Sequence, residues 1–172
     1  MWERVKMEAS NLFKVDSEGF IVHPLIRSGK VRARSYQINI SLAALKESTL
    51  IVLPTGLGKT VIALLVAAEK LRTSEGVCVI LAPTKPLVEQ HYNFFKDCLR
   101  INPDLLALWT GETPVAKRVF TDYRLVFATP QLFRNEILKG NVQLPRVILM
   151  VFDEAHRAKG NYAYITIAQR YA

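Results

Sequence analysis

Five short stretches of the chain are apolar almost throughout: residues 50–53, 77–81, 105–109, 124–128 and 146–152. Apolar runs of this length that do not alternate predict strands covered on both faces, as in a parallel sheet. Between them the hydrophobic period lengthens. Tyr36, Ile40 and Ala44 recur every four residues with Ala43 beside them, which predicts a helix over 33–46 that buries this face. Further helical patterns cover 61–71, 84–99 and 113–120, another opens at Thr129, and a last one covers 162–169. Thr84 is placed to cap its helix, with Pro86 tolerated in the first turn, and Thr113 and Pro114 fit the cap and first position of theirs. Strands and helices alternating through short connections predict an α/β fold with a mainly parallel central sheet and right-handed crossovers. Residues 1–20 hold no period and read as an extension laid against the domain, with a short strand near 19–23.

In such sheets ligands collect beyond the carboxyl ends of the strands. The first predicted strand runs into Leu53-Pro54-Thr55-Gly56-Leu57-Gly58-Lys59-Thr60 and then into a helix. That context suits a phosphate cradle: glycines let backbone N–H groups converge on oxygens, and the helix N-terminus adds its dipole. Lys59 is expected to reach the β- and γ-phosphates of ATP, and the Thr60 hydroxyl to hold Mg2+. The last strand ends at Asp153-Glu154-Ala155-His156. Asp153 can organise Mg2+ through water, and Glu154 can deprotonate the water that attacks the γ-phosphate. His156 has no Cys or second His nearby in sequence, so it is expected to couple the γ-phosphate to neighbouring groups rather than bind metal. Arg34 and Gln37 lie on the helix before the phosphate loop, where an amide offers an adenine edge both a donor and an acceptor. Thr84, Lys85, Thr110, Gly111, Thr129 and Gln131 come just after the remaining strand ends. Hydroxyls, a lysine and helix N-termini grip phosphodiester oxygens without reading bases.

Composition sharpens this reading. The chain has 172 residues, half of them hydrophobic, which suits one α/β domain with a real core and excludes disorder. No apolar run reaches the length of a bilayer span, and residues 1–7 carry charge without a hydrophobic centre, so neither a membrane segment nor a signal peptide is expected. Cys78 in a strand and Cys98 in a helix read as buried thiols of a reducing compartment, with no disulfide or metal site. A formal charge of +8 and a pI near 9.7 favour a polyanionic partner, and Lys30, Arg32 and Arg34 cluster their charge ahead of the first helix.

Together these residues resemble the first RecA-like motor domain of a superfamily 2 helicase, a three-layer P-loop NTPase fold. Arg34 and Gln37 resemble the adenine-recognising Q motif, Pro54 to Thr60 motif I, Ala82 to Lys85 motif Ia, Thr110 to Glu112 motif Ib, and Ala128 to Gln131 the next DNA-contact motif. Asp153-Glu154-Ala155-His156 is similar to the DEAH form of motif II. The wider segments Leu53-Pro54-Thr55-Gly56-Leu57-Gly58-Lys59-Thr60, Ala82-Pro83-Thr84-Lys85-Pro86-Leu87-Val88, Val151-Phe152-Asp153-Glu154-Ala155-His156-Arg157-Ala158 and Gly160-Asn161-Tyr162-Ala163-Tyr164 resemble the Hef/FANCM family of DNA fork and junction translocases. The resemblance implies an ATP- and Mg2+-dependent DNA helicase acting on forked or branched DNA in replication-fork repair. It places that activity in the cytoplasm of an archaeon, at the nucleoid, or in the nucleus of a eukaryote. Residues 21–172 are expected to form the ATP-binding domain, stopping before motif III. A second RecA-like domain with its arginine finger, and the XPF-like nuclease of archaeal members, lie outside this chain. On that expectation the isolated piece binds nucleotide weakly, hydrolyses it slowly if at all, and exposes a surface open to self-association. Two other readings are an RNA-directed ATPase of the same superfamily and a non-catalytic nucleotide-binding or assembly module.

Overall fold

The computed structural model describes residues 12–158 and 162–171. Residues 1–11 of the expected extension, and Gly160-Asn161 of the family segment, lie outside the described residues. The chain divides into two compact units, one built from the residues up to Thr73 together with Asp97–Ile101, the other from Ser74–Lys96 and the residues from Asn102 onward.

In the first unit, strands β1 (Lys14–Val15) and β2 (Ile21–Val22) pair antiparallel. The Asp16 carboxylate closes their turn by accepting from the N–H groups of Glu18 and Phe20 at 3.0 and 2.8 Å. Phe13, Ile21, Ile26 and Val31 are buried. Helix α1 spans Ser35–Lys46 and helix α2 Lys59–Thr73, and they pack together. The buried positions of α1 are Gln37, Ile38, Ser41 and Leu42. The expected face of Tyr36, Ile40 and Ala44 is thus one position out of phase. Small Ser41 and the amide of Gln37 enter the interior because they have hydrogen-bond partners there, which a count of apolar residues cannot register. The expected strand over 50–53 is not formed. Leu50 and Val52 are 79% and 82% exposed, while Ile51 and Leu53 are half-buried. The alternation is that of extended backbone, but the segment pairs with no strand among the described residues, and a strand exists only through its ladder.

In the second unit four strands lie parallel: β3 (Val77–Leu81), β4 (Leu106–Trp109), β5 (Leu125–Ala128) and β6 (Val147–Phe152), in the spatial order β4-β5-β3-β6. Helices α3 (Lys85–Cys98), α4 (Pro130–Leu138) and α5 (Tyr162–Tyr171) come after β3, β5 and β6. The apolar sides of α4 and α5 and the sheet enclose a core of Val77, Val79, Leu81, Trp109, Phe120, Val126, Phe133, Ile137, Tyr164 and Ile167. Central β3 and β5 are fully buried, as a strand covered on both faces must be. By contrast β6, at one end of the strand order, is half-buried over most of its length. Gly76 sets the start of β3: its φ is 147°, and a Cβ there would lie 2.5 Å from the Arg146 carbonyl oxygen.

The expected helix over 113–120 is replaced by two single 3-10 turns, Val115–Lys117 and Phe120–Asp122. Thr113 does not cap a helix. Its hydroxyl accepts from the Thr110 N–H and donates to the Leu108 carbonyl, both at 2.9 Å, and so ties the loop back to β4. Both cysteines are buried, and neither forms a disulfide among the described residues. Among the described residues no helix is long and apolar enough to cross a membrane.

Candidate nucleotide and nucleic-acid site

In the first unit the phosphate loop leads straight into α2, whose first residues are Lys59 and Thr60. Gly56 and Gly58 have φ values of 86° and 78°, a conformation that costs other L-residues strain. The Gly58 carbonyl accepts the Val61 N–H at 3.1 Å, starting the helix. A Cβ on Gly58 would run into the Gln37 amide, whereas one on Gly56 would meet open space. Pro54, Thr55 and Leu57 are exposed, and Lys59 has no acidic partner among the described residues. An ammonium at the N-terminus of a helix, beside a glycine turn, is suited to an anion. Gln37 donates to the Leu57 carbonyl at 3.1 Å, and the Tyr36 hydroxyl donates to the same oxygen at 2.8 Å. The predicted adenine reader is therefore fastened to the phosphate loop through its amide nitrogen. Arg34 is exposed and donates to the Tyr36 hydroxyl at 3.3 Å.

In the second unit the strand register puts Leu81, Trp109, Ala128 and Phe152 level with one another. The segments beyond the four strand ends therefore meet along a single edge: the stretch to Thr84 and Lys85, then Thr110 and Gly111, Thr129 and Gln131, and Asp153 and Glu154. Both the backbone and the side chain of Asp153 are held. Its N–H donates to the Leu81 carbonyl at 2.8 Å, the Tyr164 hydroxyl donates to its own carbonyl at 2.8 Å, and His91 Nε2 lies 2.7 Å from its Oδ2. Burial, with the charges of Asp153 and Glu154 adding to it, pushes the Tyr164 phenol far above its usual range and keeps it a donor. Glu154 has φ 53°, the one left-handed non-glycine among the described residues. Such strain survives where the surroundings over-determine it, and it clusters at functional positions. Exposed His156 lies with its Nε2 3.2 Å from Glu154 Oε2. No cluster of three or more His, Cys, Asp or Glu suited to a metal occurs among the described residues. Mg2+ on a nucleotide needs only one or two carboxylates beside phosphate and water, so Asp153 suits that ion.

The nucleic-acid candidates divide by what their side chains already do. Thr129 makes no capping hydrogen bond, Gln131 is exposed, and Gly111 is exposed with open space at its Cα. Thr110 is buried, and its hydroxyl accepts from the Glu112 N–H at 3.3 Å, so it organises the loop from inside. Lys85 lies 2.6 Å from Glu112, which raises the lysine's pKa chiefly through their hydrogen bond. Beneath the loop runs a buried pair that motif reading missed. Arg118 Nη1 bonds Glu136 Oε1 at 3.1 Å, while its Nη2 donates to the carbonyls of Thr110 at 3.1 Å and Thr113 at 2.6 Å. The guanidinium thus ties loop 110–113 to α4, the helix that Thr129 begins. His91 and Tyr164 were missed as well. Each is a polar residue in a helix, and only the folded register brings it to Asp153.

The profile of the family described as DEAD/DEAH box helicase matches residues 34–170. The chain belongs to that family. Its fold is the RecA-like α/β arrangement of P-loop NTPases around a mainly parallel sheet. The crystal structure of the Pyrococcus furiosus Hef helicase domain superimposes with a TM-score of 0.82 at 42% identity, covering 86% of this chain and 32% of that one. A Methanocaldococcus jannaschii protein, named provisionally as an ATP-dependent RNA helicase, is 44% identical over 154 residues, 88% of this chain and 20% of its own length. The Neurospora crassa ATP-dependent DNA helicase mph1 is 40% identical over 139 residues, 79% of this chain and 12% of its own length. The chain thus spans a fifth or less of these two relatives. The family match takes in Arg34, Gln37, the phosphate loop and Asp153-Glu154-Ala155-His156.

Proposed function

We propose that this chain is the ATP-binding part of a DNA helicase or translocase that acts on forked or branched DNA, and that it works with a second RecA-like domain. The observation that carries the reading is the level edge of the parallel sheet, where the acidic pair at the end of β6 shares a row with uncommitted Thr129, Gln131 and Gly111. Lys59 would neutralise the β- and γ-phosphates, and the N–H groups of the glycine turn would hold their oxygens. Thr60 and Asp153 would hold Mg2+, which when bound supplies charge neutralisation on the phosphates. Glu154 would take the proton of the attacking water, with His156 on its other side. Arg34 and the free amide oxygen of Gln37 would meet adenine. Thr84, Lys85, Gly111, Thr129 and Gln131 would grip the phosphodiester backbone, with Thr110 shaping the loop. Such a protein would work at the replication fork, in the archaeal cytoplasm or the eukaryotic nucleus.

ATP binding and hydrolysis, with and without forked DNA, test the reading on this chain beside Lys59→Ala and Glu154→Gln. Lys59→Ala should abolish nucleotide binding, and Glu154→Gln should bind nucleotide without turning it over. Unimpaired binding by Lys59→Ala would overturn the proposal. An RNA-directed ATPase is the second reading, favoured by the name of the M. jannaschii relative. Backbone contacts do not discriminate the sugar, so competition between forked DNA and duplex RNA decides.

A further inference from the structure

His91 sits in the middle of α3, the helix that opens with Lys85, and is 7% exposed. Its Nε2 is 2.7 Å from Asp153 Oδ2. A carboxylate accepts and does not donate, so Nε2 carries the shared proton. The other ring nitrogen, Nδ1, is buried and has no hydrogen-bond partner among the described residues. A hydrogen on Nδ1 would be a buried donor with nothing to bond, whereas a bare lone pair there costs less. The surroundings thus select the tautomer that presents its proton to Asp153. The backbone of the same residue is already fixed through Leu81 and Tyr164. The carboxylate's rotation about χ1 and χ2 is what a side chain can still act on, and the His91 hydrogen bond holds its Oδ2.

We infer that His91 is a positioning residue: it takes one oxygen of Asp153 and thereby fixes the direction of the carboxylate toward the Mg2+ that accompanies the nucleotide. The inference rests on the proposed role of Asp153 as an Mg2+ holder. Residues that orient a metal-binding group from behind typically change metal affinity 10- to 100-fold when removed. A residue that merely filled space would act through its volume and not through its proton.

Binding of a fluorescent ATP analogue to this chain, titrated with Mg2+, separates these roles in the parent and in His91→Phe, His91→Gln and Asp153→Asn. His91→Phe keeps bulk and loses the donor, so half-saturation in Mg2+ should move up about tenfold or more. Nucleotide affinity without metal should stay as it is. His91→Gln can place an amide N–H where Nε2 stands and should recover most of the loss. If His91→Phe behaves as the parent while Asp153→Asn is impaired, His91 is packing only, and the inference fails with the role of Asp153 intact. If Asp153→Asn leaves the Mg2+ dependence unchanged, that role itself falls and the inference with it. Should the variants fail to fold, long-range nitrogen–proton NMR of the parent's histidine rings decides. A hydrogen on Nε2 supports the inference, and a bare Nε2 overturns it.

Discussion

Replacing Arg118 with methionine keeps most of the side chain's volume and removes its charge. Glu136 is 1% exposed, and its remaining partners would be the Asn141 amide at 2.7 Å and the Lys139 ammonium at 3.7 Å, on a side chain largely in solvent. Breaking a buried ion pair from one side typically costs about 3–5 kcal/mol, since the partner charge is stranded. The carbonyls of Thr110 and Thr113 also lose their donor, which adds to that cost. Glu136→Gln should cost less, on the order of 1–2 kcal/mol, because an amide can still bond Asn141 while Arg118 keeps both carbonyls. The double variant should be more stable than the sum of the two losses, since no orphan charge remains. Urea unfolding with a shared m-value measures all three. Acid provides an internal control. Burial alone would push the Glu136 carboxyl up, yet hydrogen bonds from Asn141 and Arg118 outweigh it and hold the group below its ordinary 4.5. A carboxyl with a depressed folded pKa contributes stability that is present above the unfolded value and is lost as pH falls through the folded one. Without Arg118 that depression goes, so the gap between parent and Arg118→Met should narrow below pH 4.5. An Arg118→Met cost no greater than that of Glu136→Gln, or a gap that widens in acid, would refute a stranded charge at Glu136.

Burial holds His23 below its ordinary pKa of 6.5, against the opposing pull of Glu69 at 3.0 Å. A histidine with a depressed folded pKa contributes stability in full above 6.5 and loses it as pH falls through the folded value. Melting curves between about pH 5 and 7 should therefore show a decline on acidification that His23→Gln flattens; equal slopes in the two proteins would refute this. Separately, Glu112→Gln should release Lys85 from its 2.6 Å partner, raise affinity for DNA, and steepen the salt dependence by about 0.7–0.9 in the log–log slope. Filter binding across a salt series measures it, and an unchanged slope means that Lys85 touches no phosphate.

The features legible in the sequence were those with a local cause. Runs such as Val77–Leu81 and Leu125–Ala128 are too short and too apolar for anything but covered strands, and their parallel register carries Thr84, Gly111, Thr129 and Asp153 to one edge without further information. Gly56 and Gly58 announced their left-handed turn by residue type. What escaped depended on partners distant in sequence. The face of α1 was misjudged because Gln37 is buried by virtue of a bond to Leu57 on another element. Leu50 to Leu53 have the composition of a strand, but hydrophobicity does not supply the neighbour whose carbonyls a strand needs. Thr113-Pro114 has the form of a helix start, yet the threonine hydroxyl found the Leu108 carbonyl first. His91, Arg118 and Tyr164 carried no sign of their roles: Tyr164 stood in a segment that resembles the family, and His91 in a helical pattern, but neither pattern points to Asp153. Their roles come from the rotation of helices over a sheet, and a single sequence carries no mark of it.

The place of β6 at the end of the sheet has a practical side. Its sequence, Val147-Ile148-Leu149-Met150-Val151-Phe152, contains no charge, no proline and no glycine, and among the described residues its backbone is paired on the β3 side only. An uncharged strand with one row of free N–H and C=O groups is a template on which a like strand can grow, and natural sheets guard such edges with lysine, proline or a covering element. Handled alone at high concentration, this chain should aggregate through that strand. A lysine at an outward-facing position of β6 is then the change that keeps it in solution long enough for its chemistry to be measured.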